Sequence, residues 1–348
     1  MTAALASNQT HGLVCAHTHL YSALARGMLE PPRTPATFTQ ILELVWWRLD
    51  RALDHDMIRA SAMLGALEAL EAGTTAIVDH HSSPGAIDGS LDIVAEACAA
   101  VGVRVSCCYE VTDRNDLDGS RAGLAENERY LRAGGAGFVG AHAAFTLSDE
   151  TLEAVCGLAA DLGAGVHVHV AEAPEDKAAG ARWEPHARDT WLLAHGVHLD
   201  RVLKGTVIHN PRSNLNNAVG YGRPARFPKV ALGTDGIGAD MLEEGRLAFA
   251  LHRANDLGAS ADTAWGWLRA GETIVPEVAQ DVVTWTSAPP RAMTPWDLAY
   301  TTGIRAEQVE VAGEVVLAAS GPTRVDAAEV RAKAAEQAER LFARMAGL

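Results

Sequence analysis

The sequence has few features of a protein that binds nucleic acid or lies in a membrane. It carries 29 basic against 44 acidic residues, a net charge of −15, which argues against nucleic acid or an anionic membrane surface as a partner. No apolar stretch reaches the roughly 20 residues that a transmembrane helix needs. The N-terminus lacks the basic segment and continuous apolar core of a signal peptide. We therefore expect a soluble, cytoplasmic protein.

Cysteine is also sparse, and its spacing is uninformative for metal binding. The cysteines are an odd number, five, and none forms a C-x-x-C pair, so neither a disulfide framework nor a thiolate metal site is indicated. Most have apolar neighbours, which favours buried free thiols. They are Cys15, Cys98, Cys107, Cys108 and Cys156.

What the chain does have is a regular alternation of short apolar runs with longer amphipathic segments. Eight such pairs are the number in a (β/α)8 TIM barrel, an α/β fold that takes roughly 250 residues and carries its chemistry at the C-terminal ends of its strands. The predicted strands span residues 12–19, 74–80, 103–109, 138–143, 165–170, 191–195, 206–210 and 230–234.

Residues outside the barrel predict smaller elements. We assign 12–275 to the barrel, 1–11 and 276–325 to a small β-sandwich element, and 326–348 to a C-terminal amphipathic helix. Residues 309–317 have the alternation of a hairpin around an Ala-Gly turn. Two features fit less well. Residues 196–205 are short for a parallel crossover, and 269–281 leave little room for a final barrel helix.

Candidate ligands stand at the ends of the predicted strands. His17 and His19 close the first strand, and residues two apart on a strand share a face, so both imidazoles can reach one ion. His169 and Asp235 end the fifth and eighth strands, and imidazole and carboxylate ligands suit zinc or ferrous iron. Glu172 follows His169 as a proton carrier. A lone histidine at a strand end is more often structural, but this series of them predicts a metal site.

Together these residues resemble the amidohydrolase superfamily, in its cytosine-deaminase/chlorohydrolase branch, and most closely its SsnA-type aminohydrolases. The resemblance runs from about residue 12 to 345. Its motifs are AHTH at 16–19, HVHVAE at 167–172, LAHGVHL at 193–199, HNPRSN at 209–214 and LGTDG at 232–236, with WWRLD at 46–50, DHHSSP at 79–84 and CYEVTDR at 108–114 for the SsnA type.

The resemblance implies one divalent metal, Zn²⁺ or alternatively Fe²⁺, on four residues, and three catalytic residues, of which one is also a ligand. It further implies four substrate contacts. The ligands are His17, His19, His169 and Asp235; the catalytic residues are Glu172, His195 and Asp235; the substrate contacts are His142, His81, Asn214 and Arg212. His167 lies one layer deeper, where support of the site and simple core packing are equally compatible with the sequence. The family's small β-sandwich is expected to be only partly present, because about eleven residues precede Gly12.

The activity that this resemblance implies is hydrolytic deamination of an N-heterocycle, such as a purine, pterin or pyrimidine, by hydroxide generated on the metal. Dechlorination of a triazine would use the same residues. A binuclear cyclic-amide hydrolase is a weaker alternative, because the fourth strand ends at His142 without the bridging lysine of such enzymes. A catalytically silent barrel is weaker still, since Glu172 and Asp235 are both present. The partner is a small molecule. A homo-oligomer with Trp46, Trp47 or Trp183 at a subunit surface is compatible with the sequence, although core burial is expected for the first two.

Overall fold

The computed structural model describes residues 5–286 and 293–348. Its strands are β1 Gln9–His11, β2 Leu13–Thr18, β3 Thr74–His81, β4 Arg104–Tyr109, β5 Val139–Ala143, β6 Val166–Val170, β7 Leu192–His195, β8 Thr206–His209, β9 Val230–Leu232, β10 Val282–Trp285, β11 Ala306–Val311, β12 Glu314–Ala318 and β13 Gly321–Pro322. Its helices are α1 Phe38–Ile41, α2 Trp47–Ala52, α3 His55–Glu71, α4 Ser90–Val101, α5 Leu117–Arg132, α6 Asp149–Leu162, α7 Lys177–Gly180, α8 Pro211–Asn216, α9 Met241–Asn255, α10 Ala261–Arg269, α11 Pro295–Tyr300 and α12 Ala327–Ala346.

Eight parallel strands, β2 to β9, form a closed barrel. β2–β4 pair in sequence order, as do β5–β9, and parallel bridges such as Cys107 to Gly137 join β4 to β5. The seam between β9 and β2 closes where the backbone N–H groups of Thr234 and Asp235 donate to the carbonyl oxygen of His17, at 2.9 and 3.1 Å. The predicted (β/α)8 barrel is confirmed.

Side-chain alternation along the strands separates the barrel interior from the helical layer. On β6 the three valines pack outward in the main core, whereas His167 and His169 face inward. On β2, Val14 and Ala16 belong to the interior cluster, and the parallel register shifts between Cys15 and Thr18. From this irregularity onward, the side chains that point into the barrel are the imidazoles of His17 and His19 instead of small apolar groups.

The connection from β7 to β8 crosses over without a helix. Residues 196–205 form turns, and the apolar side chains of Leu199 and Leu203 are buried where a helix would otherwise cover the sheet. The guanidinium of Arg226 donates to the carbonyls of Gly196 and Val197, at 2.9 and 3.2 Å. The short link therefore does close a parallel pair. After α10, the 3₁₀ turns at 270–273 and 276–280 bring Val278 beneath the barrel interior.

The helical segment between β2 and β3 is interrupted. A π-helical turn spans Leu42–Trp46, and the chain extends at Leu53 before α3 begins. The carboxylate of Asp54 accepts a hydrogen bond from the backbone N–H of Met57 at 3.0 Å, so it caps α3. The break follows from this N-cap, which apolar periodicity alone does not reveal.

A five-stranded antiparallel sheet lies beside the barrel, in the order β1-β10-β11-β12-β13. β11 and β12 form the predicted hairpin. Helix α12 buries Val330, Ala334 and Leu341, and Arg340 and Arg344 each reach a carboxylate oxygen of Asp54 at 2.9 Å. The domain boundaries given above stay a prediction. Within the described ranges, no helix is both long and apolar enough to cross a membrane.

Candidate active site

Four side chains converge at the C-terminal end of the barrel. His17 and His19 come from the end of β2, His169 from β6, and Asp235 from the loop after β9, and one ligand atom from each lies within 4.8 Å of the others. Oδ1 of Asp235 is 3.0 Å from Nε2 of His17 and 3.1 Å from Nε2 of His19. Nε2 of His19 is 3.2 Å from Nε2 of His169. The sequence-predicted ligand set therefore forms one cluster.

Hydrogen bonds on the far side of the rings orient their lone pairs toward this cluster. Nδ1 of His19 donates to the carbonyl of His80 at 2.6 Å, and Nδ1 of His169 donates to the carbonyl of His142 at 3.2 Å. Both Nε2 atoms then face each other and the carboxylate of Asp235. Imidazole nitrogens that converge with a carboxylate are a ligand set that fits a divalent metal.

His17 gains its orientation from a second histidine. Its Nδ1 lies 2.9 Å from Nε2 of His167, and Nδ1 of His167 lies 3.7 Å from the thiol of Cys108. The thiol in turn donates to the carbonyl of Asp79 at 3.6 Å. When His17 donates to His167, His167 to Cys108 and Cys108 to the carbonyl of Asp79, Nε2 of His17 carries no hydrogen and faces Asp235. His167 thus has the position of a supporting residue, as one of the two sequence interpretations holds.

Glu172 and His195 lie beside the cluster. Oε2 of Glu172 is 3.4 Å from Nε2 of His195, which is 3.8 Å from Oδ1 of Asp235. His195 and Asp235 have φ angles of 72° and 53°, and Ala171, which precedes Glu172, has 47°. Non-glycine residues adopt this left-handed region at a cost of about 1–3 kcal/mol, and such strain is concentrated at functional sites. Here it occurs at the ends of β6, β7 and β9, the strands that bring Glu172, His195 and Asp235 together.

Burial and mutual charge set the protonation of this group. Burial, then Asp235 and Asp176, raises the pKa of Glu172 well above its usual range, so this carboxyl holds a proton. Burial alone would raise the pKa of Asp235, but His195, His17 and His19 hold it well below the usual range. The site therefore pairs one protonated carboxyl with one carboxylate.

The two histidines of the first strand differ in the same way. Burial lowers the pKa of His17 to about 3. For His19, burial acts in the same direction but is outweighed by Asp235 and Glu110, which raise the pKa to about 9. Without a metal, the cluster thus carries its positive charge on His19.

A cleft of about 520 Å³ opens above the cluster. Its floor contains His19, His169, Glu172 and Asp235, and its opposite wall is apolar. Trp46 and Trp47 stand in that wall, partly exposed, which corrects the expectation that they are core residues. Trp183, by contrast, is fully buried. An aromatic wall facing a polar floor suits a flat ring. The wall residues are Phe38, Leu42, Trp46 and Trp47.

The four predicted substrate contacts are placed differently from one another. His142 lines the cleft, with its Nδ1 2.8 Å from the hydroxyl of Thr146. Asn214 is buried, and its Oδ1 is 2.9 Å from Nδ1 of His195. His81 is fully buried against Ser83, at 2.9 Å.

Arg212, the fourth, lines a neighbouring groove of about 1750 Å³ and pairs with Glu244 at 3.2 Å. The structure therefore brings one of the four to the cleft, His142. A substrate contact by the other three stays a prediction.

Several residues of the site escaped sequence reasoning. Glu110 directly follows β4 and lines the cleft, and His80, one residue before His81, lies 3.2 Å from it. Both follow the rule of strand ends that found the ligands, so the signal was present. Ser213 donates to Oδ2 of Asp235, and Asn217 lines the cleft near Glu172. These two lie on α8 and just after it; Ser213 falls within the HNPRSN motif at 209–214, although its residue type does not indicate a role.

The amidohydrolase family model matches residues 10–269, which is most of the barrel and includes every cluster residue. The chain belongs to the amidohydrolase family. This amidohydrolase is 30% identical to a 5'-deoxyadenosine deaminase of Methanopyrus kandleri, over 95% of its own length and 86% of that protein. It is also 30% identical to a 5-methylthioadenosine/S-adenosylhomocysteine deaminase of Syntrophomonas wolfei, over 71% of its length and 62% of the relative.

Solved structures agree on the fold of this amidohydrolase. An adenosine deaminase from Xanthomonas campestris with bound zinc superposes with a TM-score of 0.81 at 23% identity, covering 96% of this chain and 85% of that one. An atrazine chlorohydrolase from Arthrobacter aurescens, complexed with zinc, gives 0.76 at 21% identity, covering 95% and 88%. The predicted resemblance to the superfamily is confirmed.

Proposed function

We propose that this amidohydrolase is a metal-dependent hydrolytic deaminase that releases ammonia from a carbon of an N-heterocycle. The observation that carries the proposal is the convergence of three imidazoles and a carboxylate on one point, with a protonated carboxyl beside it. His17, His19, His169 and Asp235 would hold the metal. The names of the relatives, deaminases of adenosine derivatives, point to a purine-like ring as the substrate class.

The chain's own residues account for the proton transfers. When bound, the metal supplies an acidified water as nucleophile. Asp235, whose carboxylate is kept ionised, would accept a proton from the attacking water. Glu172, held protonated, would donate to the ring nitrogen next to the amine-bearing carbon. The proton held by Asp235 would then pass to the amine, so that the C–N bond breaks and ammonia leaves, and the hydroxyl left on the ring would return a proton to Glu172.

His195 completes this arrangement from the side of Glu172. Its Nε2 lies between Glu172 and Asp235, at 3.4 and 3.8 Å, and with the ring proton on Nδ1 it can accept a hydrogen bond from the attacking water. The apolar wall of Trp46, Trp47, Phe38 and Leu42 keeps bulk water away and packs against the flat ring.

Zinc is the metal we propose, with ferrous iron as the alternative, because both accept three imidazoles and one carboxylate. A binuclear amide hydrolase is disfavoured. Such enzymes need a lysine between two metals, and the chain's lysines, Lys177, Lys204, Lys229 and Lys333, are all exposed and distant from the cleft lining. Dehalogenation of a triazine would use the same residues and is distinguished by its product.

The decisive experiment measures metal content and ammonia release on the same preparation. Protein purified without chelator should contain about one zinc or iron per chain, and a panel of aminopurines, aminopyrimidines and pterins should include at least one that releases ammonia. Chelation should abolish the release and added zinc restore it. A metal-loaded protein that liberates chloride from chlorotriazines but no ammonia from any ring would overturn the deaminase proposal.

A further inference from the structure

A second carboxylate faces the cleft, apart from the residues that the proposed chemistry uses. Glu110 directly follows β4, and its side chain is only 4% exposed, yet it lines the cleft. Its ligand atom lies within 4.8 Å of those of His19, His80 and His169. Glu172 instead groups with His195 and Asp235. The two carboxyl groups therefore stand on different flanks of the metal cluster.

Two buried side chains hold Glu110 in place. Its oxygens lie 3.2 Å from Nδ1 of His80 and 3.9 Å from the guanidinium of Arg114. Arg114 is anchored by an ion pair with Asp50, and its guanidinium stacks over the ring of Trp47 at 5.1 Å. Trp47 is part of the cleft wall, so the carboxylate and the aromatic wall are held by the same arginine.

Glu110 is an acceptor with capacity to spare. A carboxylate offers about four lone-pair sites, and the contacts with His80 and Arg114 leave some of them toward the cleft. Burial alone would raise its pKa, but His142, His80 and Arg114 hold the pKa well below its usual range. Unlike Glu172, it therefore has no proton to give and accepts from a ligand N–H.

We propose that Glu110 is a specificity-determining residue that accepts the ring N–H beside the amine-bearing carbon, which makes the preferred substrate a 2-amino-4-oxopyrimidine ring, alone or fused as in guanine and pterin. In such a ring the carbon that loses ammonia lies between two nitrogens. One is an acceptor, which meets the proton of Glu172, and the other is an N–H, which meets Glu110. In a 6-aminopurine that carbon has a ring carbon on its second side, which offers Glu110 no hydrogen.

This inference rests on the proposed deaminase function and narrows its substrate. The test compares guanine, 1-methylguanine and adenine as substrates of the metal-loaded protein, by ammonia release. Guanine differs from 1-methylguanine only at the N–H in question. We expect kcat/KM for guanine to exceed that for 1-methylguanine by about 100-fold or more, because a site built around a buried acceptor rejects a ligand without the hydrogen.

Variants of Glu110 then test whether this residue causes the preference for guanine over 1-methylguanine. Glu110→Ala should lower kcat/KM for guanine by about 100-fold, with metal content unchanged. The values of kcat/KM for guanine and 1-methylguanine should then lie within about tenfold of each other. Glu110→Gln, whose amide oxygen still accepts, should lose about tenfold. Glu126→Gln is the matched control, since Glu126 is equally buried but pairs with Arg129 on α5, outside the cleft.

Each outcome decides something different. A fall by the same factor for all three substrates in Glu110→Ala would mean that Glu110 only supports His80, and the inference would be wrong. Efficient deamination of adenine or 1-methylguanine by the wild type would overturn the inference and leave the deaminase function standing. Absence of ammonia from every heterocycle, despite bound metal, would reject both. If Glu110→Ala does not fold, the ratio of kcat/KM for guanine to that for 1-methylguanine, measured in the wild type and in Glu110→Gln, still tests the inference.

Discussion

Asn214 holds His195 by a hydrogen bond of 2.9 Å between Oδ1 of the amide and Nδ1 of the imidazole. This contact keeps the ring proton on Nδ1 and leaves Nε2 as the atom that faces Glu172 and Asp235. We expect Asn214→Ala to lower kcat by about 10- to 100-fold with little change in KM or metal content, because the other tautomer becomes accessible.

The check on this prediction is steady-state kinetics together with elemental analysis of the same protein. Asn216→Ala is a suitable control, since this neighbouring amide contacts only Asn217, at 3.4 Å, in the hydrogen bonds described. A large rise in KM for Asn214→Ala, with kcat retained, would instead assign Asn214 to substrate binding.

Glu172→Gln should separate metal binding from catalysis. The amide has nearly the shape of the protonated carboxyl but cannot transfer a proton, so the cluster should keep its metal while turnover falls by about 10²- to 10⁴-fold. Metal analysis and ammonia release are measured side by side. Activity near that of the wild type would remove Glu172 from the role of proton carrier.

Asp235→Asn should lose both activity and part of its metal, because this carboxylate contacts two imidazoles and also receives the water proton. Ser213→Ala removes only the hydroxyl that donates to the other oxygen of Asp235, so its effect should be about tenfold on kcat, with metal retained. Metal dissociation constants from chelator competition rank the two variants. Full metal retention and activity in Asp235→Asn would contradict its dual role.

Metal uptake should release about one proton per chain at pH 7. In the metal-free cluster the pKa of His19 is raised to about 9, whereas that of His17 is lowered to about 3, so at pH 7 only His19 of this pair carries a proton that the metal must displace. Affinity should therefore fall about tenfold for each pH unit below 9. Calorimetric titration in buffers of different ionisation enthalpy counts the protons. Binding that is independent of pH between 6 and 8 would exclude this linkage.

Asp79 should make the protein less stable as pH rises. Burial raises its pKa from 3.8 to about 7; one oxygen accepts from the backbone N–H of Leu20 at 2.7 Å, and the other is buried without a partner. The folded state therefore binds this proton more tightly than the unfolded state. Its stabilising effect is complete below pH 3.8 and is lost as pH rises to about 7, amounting to roughly 4 kcal/mol at most.

Asp79→Asn removes that titration, so its free energy of unfolding should gain on the wild type between pH 5 and pH 8. Asp176 and Glu244 shift in the same direction, to about 7 and about 8, and for this reason the difference between variant and wild type is the quantity to follow. Denaturant unfolding at both pH values measures it. A constant difference would show that Asp79 does not titrate in this range.

The sequence predicts the barrel and its metal cluster well because both depend on local patterns. Strand-length apolar runs ending in histidine or aspartate place those side chains at one end of a parallel barrel, whatever the loops do. His17, His19, His169 and Asp235 could be selected on that rule alone. Glu110 satisfies the same rule and lies within the CYEVTDR motif at 108–114, but a single glutamate after a strand, without a second candidate ligand beside it, does not indicate a role in the site.

Other features depend on contacts between distant parts of the chain. Core burial is expected for Trp47 from the sequence, yet it lines the cleft, and the guanidinium of Arg114, 67 positions later, lies over its ring. Asn214 follows a strand and was expected to meet substrate, but the fold places His195 against it first. Local patterns contain no information about such pairings.

The cluster of candidate ligands spans the seam at which the first and last strands close the barrel. His17 and Asp235 are separated by 218 positions and meet only when the first and last strands close the ring. The glycine before this junction, Gly233, leaves no room for a side chain, because a Cβ there would lie 2.5 Å from the carbonyl oxygen of His17. A metal held by His17 and Asp235 would connect the two ends of the barrel, so its removal should loosen circular closure before it disturbs any single β/α unit. Hydrogen exchange would then rise first along β2 and β9.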